Sequence, residues 1–338
     1  MFFKTIIQGR LDFGTDKSYE KVVKMFQYRV ETYYKNALIF KQEELFKDDE
    51  FALEIPRYVG NVSEKAYKNT VDLLEYCAQF ALTGVIRTWL LDSGTILQFS
   101  VIEPGSDKAA VQLYLKGKTL VKEEGKQDEA YEELTKAIEK FDRHAQAYER
   151  RAKICFILQK YADAIRDYTK SINIDPMMPS AYLGRARVYI HQEKYEEAIA
   201  DIDQAIKKSV ALESIHWKSR RLKAYCHLKL NESAKAAFEL KLYANRAFKE
   251  DDPNIQWQRW SLFQYAVTLM DAGNYLEALE ALLKVEKMPQ YQDGISQAEY
   301  LRVRGQVKKM AGKNGYVKDL KEAAELGDPR AKAILKEG

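Results

Sequence analysis

Ala147-Tyr148-Glu149-Arg150-Arg151-Ala152, then Lys160-Tyr161-Ala162-Asp163-Ala164-Ile165, then Ile174-Asp175-Pro176: the fold of this chain turns on these three runs. Tyr148 and Ala152 fall on one face of a first helix, and a break follows at Gln159-Lys160. Tyr161, Ala164, Ile165, Tyr168 and Ile172 then recur at the i, i+3, i+4 spacing of a second amphipathic helix. Asp175-Pro176 ends it, because proline lacks the N–H a helix needs and clashes with the preceding turn. Ala152 and Ala164 are small enough for the two helices to approach closely, with the aromatics filling the space beside them.

The pattern recurs outward from this stretch with a step of 34 residues: Ala130, Ala164 and Ala198; Tyr148 and Tyr182; Arg151 and Arg185; Ala152 and Ala186; Tyr161 and Tyr195; Ile165 and Ile199; Asp167 and Asp201. Residues 179–212 repeat the plan with Tyr189, Ile202 and Ala205 added. That period belongs to a helix–turn–helix unit that stacks into a solenoid. The residues resemble the tetratricopeptide repeat (TPR), with its aromatic, small and proline positions at fixed offsets. An earlier copy spans 109–144 (Tyr114, Gly117, Gly125, Ala130, Leu134, Ala137, Ile138), and a later one 258–290 (Ala266, Gly273-Asn274-Tyr275, Ala278, Leu279, Leu282). Between them, 213–257 has the length of a repeat plus an extension; it keeps Trp217, Tyr225 and Phe238 but loses the alanine register. Residues 297–338 resemble a degenerate repeat with a cap. The resemblance implies an all-α superhelical solenoid over 108–338, about six helical hairpins, the fourth and last irregular.

Residues 1–104 have a different rhythm. Lys4 to Phe13 is a strand, 18–46 a long helical pattern, Phe51 to Pro56 a second strand, and 64–82 a helix capped by Ser63. Val85–Leu91 and Thr95–Ile102 flank the turn Asp92-Ser93-Gly94. The order β-α-β-α-β-β predicts a small α/β sandwich with helices on a mixed sheet, Trp89 and Phe99 in its core, and a junction at Pro104-Gly105-Ser106-Asp107. The chain is thus expected to be α+β overall, with this domain free to contact a partner or a second copy of itself.

The 338 residues carry a net charge of +4. Residues 1–104 hold 13 basic against 15 acidic side chains and the remainder 41 against 35, too even a balance for a nucleic-acid footprint. Cys77, Cys155 and Cys226 are an odd, widely spaced set, which fits a reducing, cytoplasmic setting. The opening Met1-Phe2-Phe3-Lys4 has no leader-like apolar run, and no stretch reaches the ~20 apolar residues of a membrane span. Gly117-Lys118-Thr119 matches only the end of a phosphate-binding loop: Gln112 stands where its earlier glycine belongs. His144, His191, His216 and His227 lack metal-ligand spacing, and no nucleophile–base set stands out, so neither an enzyme nor a cofactor is expected.

These exclusions favour a non-enzymatic interaction scaffold. The TPR resemblance implies that the first helix of each repeat lines a concave groove, which selects Glu149, Lys153, Phe156 and Ile157, then Leu183, Arg187, Ile190 and His191. Their mix of basic and apolar groups suits a protein or peptide segment with acidic and hydrophobic side chains. Arg151, Arg185 and Arg220, with Asp167 and Asp201, form instead an expected Arg–Asp lattice between helices. The asparagine of the carboxylate clamp seen in chaperone-binding members is missing: Lys116, Arg150 and Gly184 stand at its places. The competing reading is a nucleic-acid- or ribosome-associated adaptor using Arg302, Arg304, Lys308, Lys309 and Lys313.

Overall fold

A computed structural model describes residues 1–35, 37–290 and 293–336. It divides into two compact units, Met1–Arg185 and Ala186–Gly338.

The first unit opens with β1 (Phe2–Asp12), α1 (Asp16–Arg29) and a π turn (Val30–Tyr34). A four-residue α2 (Gln42–Leu45) and a two-residue β2 (Phe46–Lys47) precede β3 (Ala52–Ser63), α3 (Glu64–Ala78), β4 (Thr83–Asp92) and β5 (Thr95–Ile102). Thr15 and Ser63 cap α1 and α3, each accepting the N–H three residues on. The strands lie in the order β2-β3-β1-β4-β5. All pairs are antiparallel, where a mixed sheet was expected. The reason is the break in the predicted helix 18–46. A single long helix would deliver the chain to the far end of β1, as a parallel crossover requires. Here the helix ends at the π turn, and the following residues return the chain to Asp12, which pairs with Ala52 at the start of β3. β3 also runs through Pro56 instead of stopping there. Proline is tolerated because Pro56 and Arg57 bulge opposite Gln8, where the register shifts between Ile7 and Gly9.

One face of the sheet packs on α1 and α3, with Ile7, Leu11, Leu53, Ile86 and Leu90 against Tyr19, Phe26, Tyr67 and Leu74. The Tyr67 hydroxyl meets Thr88 Oγ1 at 2.8 Å, so Thr88 faces α3 and its neighbour Trp89 faces the other way. Trp89 is buried as expected but stacks on Phe99, ring centroids 5.4 Å apart. Phe99 itself is 50 % exposed, as are Leu97 and Val101 to a similar degree, because β5 is an edge strand.

Helical hairpins follow: α4 (Ala109–Leu120) with α5 (Gln127–Lys140), and α6 (Ala145–Ile157) with α7 (Tyr161–Ile174). α8 (Pro179–His191) carries the unit boundary. Ala130, Ala137, Ala152 and Ala164 have no exposed surface, and a Cβ on Gly117 would lie 2.7 Å from Leu134 Cγ. Small residues therefore set the helix spacing. Between α6 and α7 the chain turns at Gln159, which is left-handed (φ 59°), and Lys160 N–H donates to Cys155 O at 2.8 Å. This is the six-to-one closure of a Schellman turn.

The second unit holds the remaining part of α8, then α9 (Tyr195–Lys208), α10 (Ser214–Lys229), α11 (Ser233–Ala244), α12 (Gln258–Asp271), α13 (Tyr275–Lys287), α14 (Gln297–Met310), α15 (Tyr316–Glu325) and α16 (Pro329–Lys336). The same turn recurs at Glu193, Asn231, Gly273 and Gly312, all with positive φ. Its core runs through Ala236, Leu240, Ala266, Ala278, Leu282, Val307 and Leu320. The repeat register slips first in α10, which has 16 residues against 13 in α8, and again where residues 245–257 are inserted between α11 and α12. Asn254 pins that insert, donating to Ser214 O at 2.9 Å and accepting from the Tyr243 hydroxyl at 2.7 Å.

Candidate functional site

On α6, residues 146, 149, 153 and 156 are three or four apart and share one face. Lys153 and Phe156 are half-buried, and Ile157 beside them is 47 % exposed. The Phe156 ring lies 6.0 Å from that of Tyr161. Glu149 is buried, with its carboxylate 3.2 Å from Arg150 Nε. On α8, Leu183 is buried, Arg187 and Ile190 are half-buried, and His191 is exposed.

The start of the α6 stripe is occupied by the chain's own sheet. Gln146 accepts the Gly84 N–H on Oε1 and donates from Nε2 to the Gly84 carbonyl, both at 3.0 Å. The side-chain amide thereby reads both polar groups of one strand residue. Thr83 Oγ1 donates to the same Oε1 at 2.9 Å and lies 3.0 Å from His144 Nδ1. His144 also begins α6, Nδ1 accepting from Ala147 N–H at 3.3 Å. Burial holds its pKa down to about 3. Gly84 is obligatory: its φ is +117°, and a Cβ there would lie 2.1 Å from Arg10 O. Sequence reading passed over Gln146, although it stands one turn before Glu149 on the same face.

Arg151 makes the expected lattice contact. Nε and Nη2 grip the two Asp167 oxygens at 2.7 and 3.0 Å, and Nη1 donates to Thr135 Oγ1 at 3.2 Å. One repeat on, Arg185 Nη1 donates to Thr169 Oγ1 at 2.9 Å. In the second unit the same device appears as Arg220 on Glu239 (2.7 Å) and Arg304 on Asp319 (2.9 Å at both nitrogens).

The C-terminal basic set is largely neutralised. Arg302 sits on Asp328 at 3.0 Å, and Lys308 joins Arg304 on Asp319 at 2.7 Å, leaving Lys309 and Lys313 as exposed members. His216 Nδ1 meets Ser209 Oγ at 3.1 Å, and His227 Nδ1 meets Glu232 Oε2 at 2.6 Å. Each histidine thus has a structural partner. Burial pushes the Cys77 and Cys226 thiols up to about 12 and Cys155 to about 11, far from the range of a reactive thiolate. A charged cavity of about 530 Å³ on the second sheet face gathers Arg10, Glu50, Glu54, Arg143 and Asp175. Its basic groups are paired, Arg10 with Glu50 and with Glu54 at 3.0 Å and Arg143 with Asp12 at 3.6 Å, while Asp175 accepts the Met177 N–H at 3.0 Å. Among the described residues no group of three His, Cys, Asp or Glu is placed to hold a metal ion, and no helix is long and apolar enough to cross a membrane.

A family profile described as the ETO1 C-terminal domain matches residues 116–254. YrrB, solved as a TPR protein with an unusual peptide-binding site, superposes with a TM-score of 0.51 at 21% identity, over 61% of this chain and 98% of its own. The Pseudomonas aeruginosa pilF structure superposes with a TM-score of 0.52 at 17% identity, over 69% of this chain and 99% of its own. The helical hairpins are tetratricopeptide repeats. No curated protein matches the chain, and the family match leaves the sheet of residues 1–104 uncovered.

Proposed function

We propose that this chain is a non-enzymatic protein-interaction scaffold whose repeats take a partner segment along the α6 stripe. The observation that supports this reading is the Gln146 grip on Gly84, in which a side chain of this face takes both backbone polar groups of a strand residue. Past Gln146 the stripe continues through Lys153, Phe156 and Ile157. A cation beside two apolar side chains suits a segment with an acidic residue next to a hydrophobic one. Arg187, Ile190 and His191 offer the same mix on α8 and form a separate contact. YrrB, whose fold the repeats share, is described as binding peptide, which supports the reading by analogy of fold.

The test is recovery of partners from native cells on immobilised protein, identified by mass spectrometry. Lys153→Glu with Phe156→Ala is expected to cut partner affinity by about tenfold or more, close to 1.4 kcal/mol. Arg187→Glu, made alone, reports on α8. Unchanged recovery by the α6 double variant overturns the assignment of that stripe.

A further inference from the structure

The sheet domain has a cavity of its own, remote in sequence from the repeats. It encloses about 590 Å³ and is lined by the end of α1, the π turn and residues 38–44. Its floor is apolar: Phe26 is buried, and Val30, Leu38, Ile39 and Phe40 are half-buried and packed on the domain core. A void of about 10 Å³ is shared by Phe26, Leu38 and Phe40 with Leu45, Thr70, Leu73 and Leu74. The rim is acidic. Glu31, Glu43 and Glu44 line it against the single cation Lys41. Glu44 also caps α2, accepting Lys41 N–H at 2.7 Å, while Glu31 and Glu43 project from the exposed surface. The π turn Val30–Tyr34 widens the end of α1 where the cleft opens. Such turns are rare and concentrate at functional sites.

We propose that this cleft is a second docking site and takes a partner segment in which large apolar side chains alternate with Lys or Arg. The volume lies within the usual range of roughly 300–1,000 Å³ for ligand sites. The apolar floor supplies burial for one or two Leu- or Phe-sized side chains, and the net negative rim selects the sign of the flanking charges. This is the opposite preference to that of the α6 stripe, whose cation favours acidic segments. A scaffold with both would hold two chemically distinct partners at once, and either site can fail without the other.

The probe is a fluorescein-labelled peptide, Lys-Leu-Leu-Lys-Phe-Leu-Lys, with a Glu-for-Lys counterpart as control, titrated against the full chain by anisotropy. Saturable binding of the basic peptide is expected, weakened at least tenfold by Glu31→Lys/Glu43→Lys and by 0.5 M salt, with hydrogen exchange slowed across 37–44. Both substitutions are on exposed positions, and circular dichroism verifies the fold of the variant. Equal binding of the two peptides, equal binding by the double variant, protection elsewhere in the chain, or no binding of the basic peptide each overturns the proposal.

Discussion

His144 shows what a single residue does at the seam between sheet and repeats. Its ring has no exposed surface, begins α6 through Ala147 N–H, and touches Thr83 of β4. A charged imidazole cannot be hydrated there, so the folded pKa falls from 6.5 to about 3. The folded state therefore stays neutral while the unfolded chain takes up a proton below its ordinary value. The associated stability is complete above pH 6.5 and is lost as the pH falls toward 3, at ~1.4 kcal/mol per unit. Between pH 7 and pH 5 this one group removes about 2 kcal/mol. His144→Asn keeps an acceptor for the α6 N-terminus and does not titrate. In urea unfolding the wild type is expected to lose about 2 kcal/mol more than the variant over that interval, and parallel losses would disprove the assignment. The sequence showed His144 only as a histidine without metal-ligand spacing. Its burial depends on β4, 61 residues earlier, and local pattern carries no such information.

At the scale of elements the alanine register was readable because it has a mechanical cause. Two helices can approach only where the facing side chains are small, and Ala130 and Ala164 are fully buried at such crossings. The Arg–Asp lattice was readable for a related reason: a charge recurring at a fixed repeat position needs a recurring counter-charge. The break of helix 18–46 was not readable, because no glycine or proline marks Tyr34-Lys35, and Lys35 takes a left-handed conformation (φ 47°) that its type does not announce. The lattice makes a quantitative prediction. Asp167 is 2 % exposed and held by two hydrogen bonds from Arg151. Arg151→Ala strands that carboxylate in the α6–α7 crossing and is expected to cost about 3 kcal/mol. Arg151→Ala with Asp167→Ala should cost less than the two single changes together, because the second removes the charge the first left unpaired. Chemical denaturation of the four proteins measures the coupling. Additive losses would mean that the pair contributes nothing as a pair.

On the scale of the molecule, the sheet domain and the first repeats belong to one compact unit, Met1–Arg185. Sequence composition draws a line at Pro104, where strand rhythm gives way to helical rhythm. Specific polar contacts cross that line: Gln146 and His144 on Thr83–Gly84, Lys118 on Glu103, and Arg143 on Asp12. None of these contacts has a local signature, since each joins residues that look ordinary on their own element. If they bind sheet and repeats into one cooperative body, damage placed in α6 must be felt in the strands. Trp89 is a natural reporter, as it is the only tryptophan of this unit, 2 % exposed and stacked on Phe99. Replacing Trp217, Trp257 and Trp260 by phenylalanine leaves it as the sole indole. In that background Arg151→Ala is expected to lower the midpoint of the Trp89 emission shift by about 10 °C, from a loss of ~3 kcal/mol at roughly 2–4 °C per kcal/mol for a body of this size. Thermal melts followed by Trp89 fluorescence decide the matter. A midpoint that stays in place while the variant's helical circular dichroism falls early would mean that the sheet melts as a body of its own. The Gln146 grip would then be a detachable contact and the whole α6 stripe open to a partner.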